Sequence, residues 1–163
     1  MPDYEIVVKS VPATKIASAR ELVPDPAFMR ERCMALNAAA YKLIEHTKLE
    51  TSGTSLAIYH SADENGIDVE MAYFVDSGTV GTTHEKASVR ELQAVETMVS
   101  AVYRGSYDDF KAVTQLHIAI GKWIESNGYM IAGASREIYL QPPQNLGEGL
   151  VGVMELQYPV TKA

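Results

Sequence analysis

The chain has 163 residues, of which 47% are hydrophobic and 21% are charged, a balance that predicts one globular domain with a sizeable core. Its 14 lysines and arginines against 21 acidic residues leave a net charge of −7 with no basic cluster, which argues against direct nucleic-acid binding. The single cysteine, Cys33, excludes an internal disulfide, and there is neither a signal-peptide pattern nor an apolar run of about 20 residues, so we expect a cytoplasmic protein away from the membrane.

The first half of the chain predicts strands around one long helix. Asp25 is a good N-cap and Pro26 suits the first helical position, so a helix is predicted over about 26–47. The segment "DENG" is typical of a turn between two strands. Strands are predicted at residues 11–22, 55–60 and 67–75.

The second half has the same order of elements after a polar linker at residues 76–86. A helix is predicted over about 108–127, with Gly128 as its C-terminal stop. The stretch "QPPQNLGEG" predicts a long loop between the last two strands. Strands are predicted at residues 95–105, 135–140 and 150–160.

The two halves form an internal repeat. Ser18 aligns with Ser100 at an offset of 82, and the same offset places Phe28 on Phe110 and Tyr41 on Trp123. Further matches are Ile58 and Tyr59 with Ile138 and Tyr139 (offset 80), and Glu70 and Tyr73 with Glu155 and Tyr158 (offset 85). The sequence therefore predicts a single domain, 1–163, built from two β-α-β-β repeats at about 4–75 and 87–160.

The repeat predicts an α+β fold. Each half has too little helix to cover both faces of its strands, so we expect both halves to form one mostly antiparallel sheet with two long helices packed on it. A ligand groove is expected between the repeats, because clefts at such junctions are common ligand sites.

The stretch "SREIYL" at residues 135–140 carries a carboxylate beside a tyrosine on a predicted strand. Alternation places Glu137 and Tyr139 on one face and Ile138 and Leu140 on the other. A desolvated carboxylate costs several kcal/mol unless it is paired. Either this face is wet and Glu137 pairs with a neighbouring cation, for which Arg136, Arg104 and Lys122 are possible partners, or the partner is a cationic ligand.

No other chemical motif stands out. His46, His60, His84 and His117 are scattered outside any HExxH or CxxC spacing, and there is no glycine-rich phosphate loop. No serine lies in a GxSxG turn, and no nucleophile–base–orienter triad is visible. We therefore predict neither a metal site nor a cofactor.

The double β-α-β-β pattern resembles the GyrI-like small-molecule-binding domain, which is also the effector-binding part of MerR-type multidrug-response regulators and of some AraC-type regulators. The resemblance covers essentially the whole chain and rests on "VYRGSYDDF", "WIESNGY", "REIYL" and "MELQYPV". Those regulators carry an N-terminal helix-turn-helix, whereas this chain begins at the effector domain, so we expect a stand-alone member.

The resemblance implies a receptor for bulky amphipathic, often cationic aromatic molecules, acting in multidrug binding or sequestration. Glu137 corresponds to the glutamate that approaches the bound cation, Tyr139 shares its face, and Tyr103 and Trp123 match the family's aromatic positions. The further predicted lining residues are Tyr59, Tyr73 and Met71. For Trp123, a place in the core is the alternative, and for the tyrosines it is simple packing with the hydroxyl at the surface.

Two other functions remain open from the sequence. Some family members resemble hydrolases that open strained cyclopropane-bearing compounds, and Glu137 with Tyr139 could then serve as acid and base. Others resemble gyrase-inhibitory proteins, which act on a protein partner. The resemblance by itself does not choose among receptor, hydrolase and inhibitor.

Overall fold

The computed structural model describes residues 4–145 and 150–163. It contains two α-helices, α1 (Met29–Thr47) and α2 (Phe110–Ser126), and a short 3₁₀ turn at Pro26–Phe28. The described residues also form ten strands: β1 (Ile6–Val11), β2 (Thr14–Val23), β3 (Ser55–Asp63), β4 (Gly66–Val75), β5 (Thr83–His84), β6 (Ala87–Leu92), β7 (Val95–Ser106), β8 (Tyr129–Ile131), β9 (Ser135–Asn145) and β10 (Leu150–Lys162).

The chain forms two compact units. The continuous unit is Pro12–Ala94, and the discontinuous unit combines the N-terminal residues up to Val11 with Val95–Ala163. Each unit contains one long helix and antiparallel strands, so the predicted α+β class with two long helices and antiparallel pairing is confirmed.

In the continuous unit the strand order is β3-β4-β2-β6-β5. Helix α1 packs on β2 and β4 and buries an apolar stripe against them. The predicted "DENG" turn joins β3 to β4, where Asp63 pairs with Gly66. The segment predicted as a linker at 76–86 carries the short strand β5, which pairs with β6.

In the discontinuous unit the strand order is β1-β7-β10-β9, and β8 pairs with the end of β10. Helix α2 packs on β7 and β8. Its buried residues Leu116, Ile120 and Ile124 form the core with Met154 and Leu156 of β10. The strand face that carries Met154 and Leu156 is therefore the face that α2 covers.

The first strand of each predicted repeat pairs within the unit that contains the helix of the other repeat. Strand β1 precedes β2 in the chain but pairs with β7, whereas β6 precedes β7 but pairs with β2. The short strands β1, β6 and β8 lie outside the predicted set. Strands β1 and β8 are short and have no buried residue, so they lack the alternation by which the other strands were found. Strand β6 does alternate, with Ala87 and Val89 buried, but it has only six residues.

Capping side chains begin both helical segments. The Asp25 carboxylate accepts from the Ala27 amide at 2.9 Å, as predicted, but it caps the 3₁₀ turn, and α1 starts at Met29. The Asp109 carboxylate accepts from the Ala112 amide at 3.0 Å and caps α2. Gly128 follows α2 with a φ of 75°, the left-handed geometry expected of a C-terminal stop. None of the described helices is both long and apolar enough to span a membrane.

Strand β9 is longer than predicted. A stop was expected at Pro142, but the backbone continues to pair with β10 as far as Asn145. The pairing register shifts between Val151 and Val153, opposite the Pro-Pro step. Proline has no N–H to donate to a ladder, so it is tolerated in a strand at such an irregularity. The rest of the predicted loop, residues 146–149, lies outside the described residues.

Candidate functional site

Glu137 is a buried carboxylate on the helix-covered face of the discontinuous unit. It pairs across to Leu156 of the core in the β9–β10 ladder, and only 7% of its surface is exposed. Tyr139 lies two residues further along β9 on the same face, as the alternation predicted. Its hydroxyl donates to Oε1 of Glu137 at 2.9 Å.

His117 of α2 holds the second oxygen of Glu137. It follows the buried Leu116, so it flanks the apolar stripe of the helix. Its Nε2 lies 3.0 Å from Oε2 of Glu137, and its Nδ1 lies 2.6 Å from the Tyr158 hydroxyl. A carboxylate only accepts, so Nε2 carries a proton; in the neutral ring, Nδ1 then accepts from the Tyr158 hydroxyl. We call the chain Tyr139–Glu137–His117–Tyr158 the Glu137 network.

The Tyr107 ring packs beside this network. The Tyr107 ring meets the Tyr139 ring edge-on with centroids 5.5 Å apart, and its hydroxyl donates to the Val153 carbonyl at 2.8 Å. Burial, assisted by the negative charge of Glu137, raises the pKa of Tyr107 to about 12. Burial and the same charge also raise the pKa of Tyr158. Both hydroxyls therefore stay protonated near neutral pH.

A glycine makes room for Tyr107. A Cβ added at Gly152 would lie 2.5 Å from the Tyr107 hydroxyl oxygen, closer than real side chains approach. The absence of a side chain at this position on β10 thus lets the ring lie against the strand. Tyr107 lies in the stretch "VYRGSYDDF", one of those on which the resemblance rests, although only Tyr103 of this stretch was predicted in the site.

Two predicted aromatic residues of the same unit belong to the core. Tyr103 is 8% exposed, and its hydroxyl donates to the Ser106 carbonyl at 2.8 Å. Trp123 stacks on Tyr129 with centroids 6.1 Å apart and an interplanar angle of 11°, and both pack against the core. Whether either side chain also borders a ligand stays a prediction.

The other three predicted lining residues lie in the continuous unit. The Tyr73 hydroxyl donates to Asn37 of α1 at 2.7 Å, and its ring is tilted against Tyr41. Met71 is buried, and Tyr59 is half-buried on β3. Their part in the same ligand site as Glu137 stays a prediction.

Sequence reasoning missed His117, Tyr158 and Tyr107. His117 was taken as one of four scattered histidines, because its contact with Glu137 joins positions 20 residues apart on different elements. A signal was nevertheless present. His117 follows Leu116 of the predicted helix stripe, and Tyr158 is the repeat partner of Tyr73, so both could be placed near the inner face of the second half.

Two further carboxylates, the buried Glu70 and the half-buried Glu155, lie on the opposite strand face. Glu70 accepts from Arg90 through both oxygens at 2.6 and 2.7 Å, from Ser18 at 2.5 Å and contacts His60 at 2.8 Å. Its repeat partner Glu155 accepts from Ser100 at 2.7 Å and pairs with Lys9 at 2.7 Å. The serine–glutamate pair recurs at equivalent ladder positions, so the repeat is also present in these polar contacts. No group of three or more His, Cys, Asp or Glu side chains able to hold a metal occurs among the described residues.

No protein-family model and no curated protein matches this chain. Among solved structures, the fold matches the C-terminal domain of EcmrR, with a TM-score of 0.80, 23% identity, and 98% of this chain and 99% of that domain covered. The same match to EcmrR in a DNA complex covers 58% of that longer chain, so this chain spans less than two thirds of it.

Two other neighbours carry the same fold at lower identity. A hydrolase from Listeria innocua matches with a TM-score of 0.63 and 16% identity over 99% of this chain and 94% of its own. The protein SAV2435, solved bound to tetraphenylphosphonium, matches with a TM-score of 0.54 and 14% identity over 98% of this chain and 94% of its own. The chain therefore has the fold of the EcmrR C-terminal domain, and the likeness supports the predicted GyrI-like architecture.

Proposed function

We propose that this chain is a GyrI-like receptor for bulky amphipathic aromatic molecules, preferentially cations, with Glu137 as the charge partner. The observation that carries the proposal is a carboxylate that is 7% exposed and lies among tyrosine rings on the helix-covered face. A cation placed there gains the attraction of a desolvated negative charge. Each ring face that it meets adds about 0.5–2 kcal/mol.

The site's chemistry suits varied ligands. Tyr139 and His117 hold Glu137 by hydrogen bonds that can be exchanged for a ligand contact. Flat rings supply contact area with little directional demand, which is typical of sites that accept several shapes. Tetraphenylphosphonium binds the neighbour SAV2435, and a lipophilic cation of that class is the ligand that we propose for this chain.

Replacing Glu137 by glutamine tests the charge directly. Glu137→Gln keeps the size of the side chain but removes its charge, so we expect tetraphenylphosphonium to bind about 1–3 kcal/mol more weakly, the range of a charge-assisted contact. Binding of the neutral triphenylphosphine oxide should hardly change. Isothermal titration calorimetry measures both affinities.

The matched control is Glu155→Gln, which removes a half-buried carboxylate of the same unit on the opposite strand face. We expect it to leave both affinities unchanged in protein that remains folded. Equal losses for the cation and the neutral compound in Glu137→Gln would contradict the proposal and would indicate packing damage instead.

A second candidate function is hydrolysis of strained cyclopropane-bearing compounds. The observation in its favour is that Glu137 contacts both a phenol and an imidazole, a set of groups that can accept and donate protons. The neighbours also include a hydrolase from Listeria innocua. Incubation with cyclopropane-bearing compounds, followed by mass spectrometry, would detect a product heavier by one water. A rate abolished by Glu137→Gln and by Tyr139→Phe would favour this function over the receptor.

A further inference from the structure

His117 takes a place that a cationic ligand would need. Its Nε2 lies 3.0 Å from Oε2 of Glu137, while Tyr139 takes Oε1. A cation that pairs with Glu137 must share the carboxylate with the imidazole or replace it. The charge on the imidazole therefore bears directly on how strongly Glu137 attracts a cation.

The continuous unit provides an internal comparison. Ala57 pairs with Met71 in the β3–β4 ladder as Glu137 pairs with Leu156 in the β9–β10 ladder, so Ala57 takes the place of Glu137. The buried stripes of the helices match as Leu36 with Leu116, Ala40 with Ile120 and Ile44 with Ile124. This match differs by two residues from the predicted pairing of Phe28 with Phe110, both of which are exposed at the starts of the helices.

In this alignment Asn37 takes the place of His117, and both bond a strand tyrosine. Asn37 accepts from the Tyr73 hydroxyl at 2.7 Å, and Nδ1 of His117 lies 2.6 Å from the Tyr158 hydroxyl. An asparagine at this helix position can therefore accept the hydrogen bond of the tyrosine hydroxyl, as a histidine can. In the second repeat, Glu137 is accompanied by the titratable His117. In the first repeat, Ala57 takes the place of the glutamate and the helix residue is the neutral Asn37.

We propose that His117 is a specificity-determining residue that makes cation binding at Glu137 depend on pH. The neutral imidazole leaves the charge of Glu137 available to a cation. The imidazolium neutralises that charge as an ion pair, and the cation must then compete with it. This inference rests on the proposed cation site and adds the residue that controls it.

The surroundings of His117 support a single proton exchange. The titratable groups in contact with His117 are Glu137 on β9 and Tyr158 on β10. Tyr139 on β9 shares the Glu137 carboxylate, and Tyr107 packs edge-on against the Tyr139 ring. A tyrosine hydroxyl ordinarily stays protonated up to about pH 10. Histidine is the side chain type that ordinarily changes charge between about pH 5 and 8, so the test covers this range.

The experiment is the affinity for tetraphenylphosphonium, a permanent cation, measured by calorimetry from pH 5.5 to 8.5. If binding expels one proton from His117, the affinity falls by up to about tenfold for each pH unit in the acidic part of this range. The affinity for triphenylphosphine oxide should change less than about twofold over the same range, because a neutral ligand does not compete with the imidazolium.

His117→Asn is the test variant, because Asn37 shows that asparagine can hold the tyrosine in this setting. We expect its cation affinity to be flat with pH and to exceed the wild-type affinity at pH 5.5 by about tenfold. The matched control is His46→Asn, which removes a histidine of α1 that stacks on His84 in the continuous unit. It should keep the wild-type pH profile.

The outcomes separate this inference from the proposed function. Cation binding that is equally tight at all pH values in the wild type, or an unchanged slope in His117→Asn, overturns the role of His117 and leaves the receptor in place. Absence of tetraphenylphosphonium binding at every pH overturns both. A ligand-free check is ¹⁵N NMR of the imidazole, where the neutral ring should be protonated at Nε2 and lose that preference in Glu137→Gln. A neutral ring protonated at Nδ1 also overturns the inference.

Discussion

The surroundings of the carboxylate differ among Glu70, Glu155 and Glu137. Burial by itself raises the pKa of Glu70, but hydrogen bonds from Arg90, Ser18 and His60 outweigh it and hold that pKa at about 2. Burial also raises the pKa of Glu155, but hydrogen bonds from Lys9, Gln157 and Ser100 outweigh this effect and lower the pKa. Both are structural ion clusters of the strand face away from the helices. Glu137 has a phenol and an imidazole at its two oxygens, and the proposed cation site depends on these two contacts.

The low pKa of Glu70 predicts acid-sensitive stability. A folded pKa below the unfolded value stabilises the protein above the unfolded pKa, and this contribution disappears as the pH falls from about 4.5 to about 2. Glu70→Gln should therefore lower the free energy of unfolding at pH 7 by about 2–3 kcal/mol, because Arg90 loses its buried partner. Urea denaturation measures the loss.

The control is Asp68→Asn, which breaks the exposed Arg20–Asp68 pair on the same strand. Exposed pairs contribute about 1 kcal/mol or less, so this variant should stay close to the wild type. If Glu70→Gln is no less stable than Asp68→Asn at pH 7, the cluster around Glu70 does not stabilise the fold.

At the scale of the elements, α2 links the core to the candidate site. Leu116 and Ile120 fix the helix on the sheet, and His117 beside them reaches Glu137. The first turn of α2 depends on Asp109, whose carboxylate accepts from the Ala112 amide. The start of the helix and the position of His117 are therefore set by different residues.

Removal of the cap should weaken the helix without altering the site. Asp109→Ala leaves the Ala112 amide without its partner, and we expect a loss of about 1 kcal/mol in the free energy of unfolding. Asp109→Asn keeps a capping oxygen and should retain most of the stability. Thermal and chemical denaturation compare the three proteins; a stable Asp109→Ala variant would mean that packing alone holds the first turn.

At the scale of the whole molecule, the net charge bears on which ligands the protein can bind. A net charge of −7 repels polyanions and is compatible with cationic ligands. EcmrR has been solved in a DNA complex, but this chain spans 58% of that protein. The fold that the two share does not transfer the DNA contact.

We accordingly expect this chain to leave duplex DNA unshifted at physiological salt. Phosphate contacts need clustered lysine and arginine, which the sequence lacks. Electrophoretic mobility shift with random and palindromic duplexes is the measurement, with a basic DNA-binding protein as the positive control. A sequence-specific shift at nanomolar protein would contradict the domain assignment.

Local pattern determined much of this fold from the sequence. The alternation of apolar and polar residues predicted β2, β3, β4, β7 and β10, and apolar periodicity predicted both helices. Serine and glutamate residues that match between the two halves indicated the repeat. The same alternation placed Glu137 and Tyr139 on one face. These features succeed because a strand or an amphipathic helix records its buried face in residues that are neighbours along the chain.

Only the tertiary structure decided what meets across elements. Strand β1 pairs with β7 and strand β6 pairs with β2, so each joins strands from the other half of the sequence. This choice of partner depends on contacts between distant residues, and no local sequence pattern predicts it. The contact of His117 with Glu137 joins a helix flank to a strand 20 residues away along the chain, and the Tyr107 ring contacts Tyr139 across a larger sequence separation. The sequence alone thus indicated Glu137, the carboxylate of the proposed site. The packing of α2 on the sheet supplied its partners, because hydrogen bonds between elements follow from geometry that residue spacing does not encode.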